Sequence, residues 1–255
     1  MAVARTIEVG GREVPRIGLG TNRLTDTPAN RAFVGAAVGA GVRMIDSAHL
    51  YSSGDSERTI GAALAPFDEE LVVATKGGYH GAHPDRLRAE LRESLERLRT
   101  DSIELYYLHR VDPEVALPRS LEVLAEHREA GTIRHVGVSE VSVEELVLAR
   151  SLVPVAAVQN EFSLDQRKHD EVLDYCTDEG IPFVPFFPLR GGGRTVDEIA
   201  ARVGATRQQV KLAWLLRRSE MMLPIPGTLS SEHLEQNLAA LDLELSDGDF
   251  AALSS

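Results

Sequence analysis

Four side chains able to hold or move a proton stand at the ends of short apolar runs. Asp46 closes Arg43-Met44-Ile45-Asp46, Tyr51 follows in Ala48-His49-Leu50-Tyr51, Lys76 closes Val72-Val73-Ala74-Thr75-Lys76, and His109 closes Leu105-Tyr106-Tyr107-Leu108-His109. Singly, each has an ordinary explanation: a strand-end aspartate caps a turn, a tyrosine packs, a histidine is satisfied inside a core. Lys76 is harder to dismiss. An ammonium ending a valine-rich run needs a carboxylate, and Asp46 on the adjacent run can supply one. Together the four describe a proton donor. A phenol titrates near ~10 in isolation, and an ammonium held beside it by a carboxylate favours phenolate and lowers that value toward the working range. General acid catalysis of this kind contributes roughly 10²–10⁴-fold. His109 then orients a substrate oxygen or shares the proton relay. The electron source is missing, since the sequence carries no metal cluster or flavin motif.

These residues need a scaffold that brings three separate runs together. Apolar strand candidates lie at 17–20, 43–46, 71–76, 103–109, 133–139, 155–159, 182–187 and 221–225, and helical periodicity falls between them at 30–40, 56–64, 84–98, 118–130, 143–150, 168–179, a pair covering 196–218, and 231–241. Leu87, Leu91, Leu95 and Leu98 form one apolar stripe, with Arg86, Arg88, Glu90 and Glu93 expected toward water. Gly41, Gly131 and Gly180 each follow a helical run, where a left-handed cap is needed, and Pro118 suits a first helical turn. Eight strands alternating with helices over about 250 residues predict an α/β fold, a (β/α)₈ TIM barrel, with residues 1–255 as a single domain. Catalytic groups of such barrels gather at the C-terminal strand ends, where the four candidates lie. The fingerprint G-x-G-x-x-G is absent after the first strand, where Arg16-Ile17-Gly18-Leu19-Gly20-Thr21 stands, which disfavours a Rossmann enzyme.

Composition narrows the function from the other side. The chain has 255 residues, 27 basic and 39 acidic, for a net charge of −12. No Lys/Arg block offsets this field, so nucleic acid and anionic membranes are disfavoured as partners. A single cysteine, Cys176, fits a reducing cytoplasm and packing within a helix. Residues 1–11 lack an apolar signal core, and no run of about 18 apolar residues occurs.

At this point the sequence resembles a known family. Ile45-Asp46-Ser47-Ala48-His49-Leu50-Tyr51 with Glu57, then Thr75-Lys76, then Tyr107-Leu108-His109, is similar to the aldo-keto reductases, in a short, bacterial-type form. Gly137-Val138-Ser139, Val158-Gln159-Asn160, Phe186-Phe187-Pro188-Leu189 and Ile225-Pro226-Gly227-Thr228 with Asn237 follow in the family's order, so the likeness runs from Gly18 to about Asp242. The resemblance implies an NADP-dependent oxidoreductase that reduces an aldehyde or ketone to an alcohol, with NADPH as cofactor and NAD as the alternative. Its partner is a small carbonyl compound, and no oligomeric state is implied. Tyr51 would donate the proton, Lys76 and Asp46 would tune it, and His109 would orient the substrate. Phe186 would stack beneath the nicotinamide, with Ser139, Glu140 and Gln159 near its carboxamide. Gly20, Thr21, Leu189 and Gly191 would lie along the nicotinamide half and diphosphate, with Arg190 and Arg194 nearby. Thr228, His233, Gln236 and Asn237 would hold the adenosine end. Asn22, Leu50, Tyr79 and Phe187 are the expected substrate wall, and the loop histidines His80 and His83 stand close to it in sequence.

Three departures modify this expectation. Glu140 replaces the family's usual asparagine and, when ionised, only accepts hydrogen bonds. Gly227 and His233 replace basic residues near the 2′-phosphate, weakening the NADPH preference. The chain is short after Leu189 and beyond the last expected helix, which predicts a shallow, open site. The run Pro185-Phe186-Phe187-Pro188-Leu189 resembles reductases of the pyridoxal type. Two rival functions share the barrel: a cofactor-sensing interaction protein, and a metal-dependent hydrolase using His49, His109 and Asp46.

Overall fold

Strands β1 and β2 (Thr6–Val9 and Arg12–Pro15) form an antiparallel hairpin absent from the sequence expectation. The computed structural model describes residues 4–255. Gly10 and Gly11, with φ of 59° and 78°, supply the two positive-φ positions of its tight turn. Ile7, Val9 and Val14 pack with Met44, Val72, Ala74 and Leu105, so the hairpin plugs the barrel interior beneath the strands.

Six parallel strands follow in sequence order: β3 (Leu19–Gly20), β4 (Met44–Asp46), β5 (Val72–Gly77), β6 (Ile103–Leu108), β7 (Ile133–Ser139) and β8 (Val155–Gln159). Every residue of β5 is buried, as expected for strands covered on both faces. Alternation along the strands explains the site. Met44, Val72, Ala74, Leu105, Tyr107 and Ala157 point into the barrel, and the next inward steps are Asp46, Lys76, His109 and Gln159. Gly137 leaves room for this packing, because a Cβ there would stand 2.3 Å from the Tyr107 ring.

The two remaining expected strands, 182–187 and 221–225, are not regular strands. Pro182, Pro185, Pro188, Pro224 and Pro226 lack N–H donors, so these segments pair through isolated bridges only. They nevertheless close the barrel. Val184 N donates to Val158 O at 2.7 Å, Leu223 N to Phe183 O at 2.8 Å, and Gly18 N to Pro224 O at 3.0 Å. Arg16, fully buried beside this seam, donates to the carbonyls of Met222 at 3.1 Å and Leu216 at 3.0 Å and also bonds Ser219 O. Burial lowers its pKa to about 10.

The outer layer is α1 (Pro28–Gly39), α2 (Asp55–Leu64), α3 (Pro84–Leu98), α4 (Leu117–Glu129), α5 (Val143–Leu152), α6 (Asp170–Asp178), α7 (Gly193–Val203), α8 (Arg207–Arg218) and α9 (Ser231–Ala239). Gly41, Gly131 and Gly180 take positive φ, and Pro118 sits in the first turn of α4. The expectation of almost no tail is corrected by α10 (Asp247–Ser254). Its Ser254 accepts from Trp214 Nε1 at 2.9 Å and its Asp249 pairs with Arg202, so it covers the barrel wall. Glu90 was expected toward water, yet its carboxylate accepts from Gly78 N at 2.6 Å and shapes the loop after β5. No helix among the described residues is long and apolar enough to cross a membrane.

Candidate active site

Lys76, with no exposed surface, spends its three N–H donors on Asp46 Oδ1 at 2.7 Å, Ser47 O at 2.6 Å and Tyr51 Oη at 3.5 Å. Burial alone would lower its pKa, but Asp46 and Tyr51 override it and the net direction is upward. Asp46 is equally enclosed. Its Oδ2 accepts from Gln159 Nε2 at 2.8 Å, so both oxygens are engaged. The parallel register sets these contacts: Asp46 lies opposite Ala74, and Lys76 is the next inward residue on that neighbouring strand.

Tyr51 is delivered by backbone rather than by a strand. Ser47 N donates to Ala74 O and His49 N to Lys76 O, so the segment after β4 runs along β5. It ends in a 3₁₀ turn, Tyr51–Gly54, in which Ser52 and Ser53 adopt φ of 49° and 56°. A buried acid supports this turn from behind: Glu57 on α2 accepts from Thr75 Oγ1 at 2.6 Å and pairs with Arg97 at 3.3 Å. Arg97 in turn donates to His49 O at 3.0 Å. Glu57 belonged to the recognised motif, but its structural role was not anticipated.

The expected lowering of the Tyr51 pKa is corrected. Burial raises it and Asp46 adds to the rise, while Lys76 opposes them without winning. Tyr51 is therefore a protonated acid at neutral pH, and Lys76 limits how reluctant it is to ionise. His109 also differs from a titrating relay. Burial, then the charges of Lys76, Arg110 and His80, lower its pKa to about 2, which leaves a neutral imidazole whose buried Nδ1 has no hydrogen-bond partner. Its ring stands edge-on to Tyr51 with centroids 6.1 Å apart.

A cavity of about 1130 Å³ opens above these groups. Asp46, Tyr51 and His109 line it, as do Gly20, Thr21, Ser139, Glu140, Gln159, Phe186, Leu189, Thr228 and His233 from the expected cofactor set. All four expected substrate residues, Asn22, Leu50, Tyr79 and Phe187, share it. Lys76 lies below, beside a smaller cavity of about 360 Å³ that also borders His49 and His80.

Three expected cofactor residues fall outside that lining. A Cβ on Gly191 would collide with the Asp165 side chain, whose Oδ1 accepts from Gly192 N at 3.0 Å, so this glycine turn already holds a carboxylate. Gln236, half-buried on α9, bonds Glu232 at 3.2 Å, and Asn237 is buried. Glu140 keeps its charge. Burial favours its neutral form, but hydrogen bonds from His169, Glu161 N and Lys168 hold its pKa at about 2. Its Oε1 accepts from Glu161 N at 2.8 Å and its Oε2 from Lys168 at 3.1 Å. Arg23, Arg110, Leu229 and Ser230 also line the cavity and were not anticipated. Arg110 was within reach of the sequence argument, since it directly follows His109 at a strand end.

The metal-hydrolase constellation does not assemble. His49 Nε2 bonds Glu93 at 2.9 Å, and Asp46 is occupied by Lys76 and Gln159. Among the described residues no group of three His, Cys, Asp or Glu side chains is arranged to hold a metal.

Comparison with known proteins agrees with the geometry. The family model described as the aldo/keto reductase family matches residues 16–255. The chain is 37% identical over 273 residues to an uncharacterized oxidoreductase of Schizosaccharomyces pombe, covering 98% of this chain and 89% of that protein. It is 32% identical over 272 residues to pyridoxine 4-dehydrogenase of Escherichia coli, covering 96% and 95%. The crystal structure of an aldo/keto reductase from Klebsiella pneumoniae in complex with NADP and acetate superposes with a TM-score of 0.87 at 30% identity, covering 98% of this chain and 94% of that one. With a barrel built from these elements and a family match across nearly its whole length, the chain belongs to the aldo/keto reductase family.

Proposed function

We propose that this protein, working as one barrel domain, is a carbonyl reductase that uses NADPH and converts an aldehyde or ketone to the alcohol. The observation that carries the reading is the Lys76 ammonium, 2.7 Å from Asp46 and 3.5 Å from Tyr51 Oη, beneath a cavity large enough for cofactor and substrate. Nicotinamide, when bound, supplies the hydride. The residues present fit that group. Phe186 offers a partly exposed ring on the cavity wall, Ser139 a hydroxyl, Glu140 a carboxylate acceptor for an amide, and Thr228, Ser230 and His233 polar groups for the adenosine end. The NADP complex of the Klebsiella relative supports NADPH over NADH.

The chain's own part is proton transfer. Tyr51 Oη gives its proton to the substrate oxygen, and the resulting phenolate is stabilised by Lys76, which Asp46 holds charged. Ser47 O takes a further Lys76 N–H, so the ammonium cannot swing away. His109, neutral, confines the substrate oxygen beside Tyr51. The likeness to pyridoxine 4-dehydrogenase and the Pro185–Leu189 run support including pyridoxal in the substrate panel. We place the enzyme in the cytoplasm, which its one buried cysteine supports.

The test follows NADPH consumption with a panel of aldehydes. We expect turnover, and expect Tyr51→Phe to abolish it while cofactor binding persists. Tight NADPH binding without turnover of any carbonyl would refute the reading, and an equally active Tyr51→Phe would remove Tyr51 from the acid role.

A further inference from the structure

Most charged groups facing the cavity are already paired. Asp46 is held by Lys76, Glu140 by Lys168, and Arg190 by Glu161. Among the described residues, Arg23 and Arg110 line the cavity with no carboxylate within 4.0 Å. Arg23 is exposed on the loop after β3, whereas Arg110 is half-buried next to His109. Its guanidinium carbon sits 3.6 Å above the Tyr79 ring, and that ring lies 4.9 Å from His109, which in turn faces Tyr51. The nearest acid along the chain, Asp112, is directed elsewhere and accepts from Ala82 N at 2.7 Å and Glu114 N at 2.9 Å.

We infer that Arg110 recognises an anionic oxygen group on the substrate, so that the preferred carbonyl compounds carry a carboxylate or a phosphate. This rests on the carbonyl-reductase reading. The guanidinium sits over the Tyr79 ring, and no side-chain hydrogen bond or carboxylate among the described residues engages its N–H groups. A planar fork with an open edge matches a carboxylate in two-point contact. The surrounding field gives this local cation its importance: a chain of net charge −12 repels anions at long range, so an anionic substrate needs a short-range partner at the reacting end. Glu140 and Asp46 do not compete for it, since each has its own cation.

The experiment compares kcat/KM for para-carboxybenzaldehyde and its methyl ester, using the full chain with NADPH. The wild type is expected to favour the acid by about 10- to 100-fold, the range of one charge-assisted contact. Arg110→Gln should bring the ratio close to unity, chiefly through KM, while Arg110→Lys keeps part of it. Added salt should shrink the wild-type ratio. A ratio unchanged by Arg110→Gln would overturn the inference, as would a variant whose only change is a raised KM for NADPH. If Arg110→Gln does not fold, wild-type inhibition decides: benzoate should compete with the aldehyde far better than benzamide, and equal inhibition refutes the assignment. Absence of turnover with the ester and every other carbonyl would instead refute the underlying reading.

Discussion

Replacing Lys76 by methionine separates what the buried ion pair does for stability from what it does for chemistry. The substitution keeps most of the side-chain volume but leaves Asp46, 1% exposed, with only Gln159 on one oxygen and nothing on the other. It also strips Ser47 O of its donor. Removing one partner of a buried pair costs about 3–5 kcal/mol, because an uncompensated charge stays behind. At about 2–4 °C per kcal/mol for a chain of this size, the melting temperature should fall by roughly 6–20 °C. The double variant Lys76→Met/Asp46→Asn removes both charges and should return to within about 1 kcal/mol of the wild type, since neutral replacements of buried pairs are often tolerated. Activity should follow a different course. Both variants should lose roughly 10²–10⁴-fold in turnover, because neither stabilises the Tyr51 phenolate. Thermal melts alongside NADPH consumption measure the two effects on the same samples. A single variant as stable as the wild type, or a double variant as unstable as the single, would refute the buried-charge reasoning.

Two further outcomes are expected. His109 has a native pKa lowered from 6.5 to about 2, so below pH 6.5 the unfolded chain takes up a proton that the native state refuses, and this group's stabilisation is lost as pH falls. Its share of the slope, up to about 1.4 kcal/mol per pH unit, should vanish in His109→Gln when urea midpoints are compared between pH 5 and pH 6.5; parallel slopes in the two proteins would show that His109 is not held neutral. Gly20→Ala should destabilise the protein by about 1–3 kcal/mol, because the new Cβ would lie 2.6 Å from Ile225 O, a backbone atom flanked by prolines. Unchanged denaturation of that variant would mean the seam is looser than its contacts imply.

The catalytic candidates were legible because strand alternation is simple. Once Val72 and Ala74 point inward, Lys76 must follow, and the same step places Asp46 and His109. The helices were legible from leucine spacing and cap residues, α3 to both of its ends. What failed has separate physical causes. The 182–187 and 221–225 runs have strand-like apolarity, but their prolines deny them a ladder. The β1–β2 hairpin consists of two four-residue strands interrupted by charged side chains, so only its Gly10-Gly11 turn marks it in the sequence. The Tyr51 pKa went in the opposite direction because its charged neighbours can be named from sequence whereas depth of burial cannot. Gly191 likewise could not be separated from a phosphate cradle until Asp165, remote in sequence, was seen against it.

The barrel's closure has a consequence for the order in which the molecule is made. The six-stranded sheet leaves β3 as one edge, and among the described residues that edge is bridged by the backbone of residues 224–227, with Arg16 beside it reaching carbonyls 200 to 206 positions away. A ribosome has therefore completed Asp46, Tyr51, Lys76 and His109 long before it supplies the segment that closes the edge beside them. Until then the growing chain carries an unpaired parallel strand beside a half-lined interior, a template for pairing with other chains. The brevity of β3, two residues long, limits that hazard, and slow, late closure rather than assembly of the tetrad is expected to set the pace of folding.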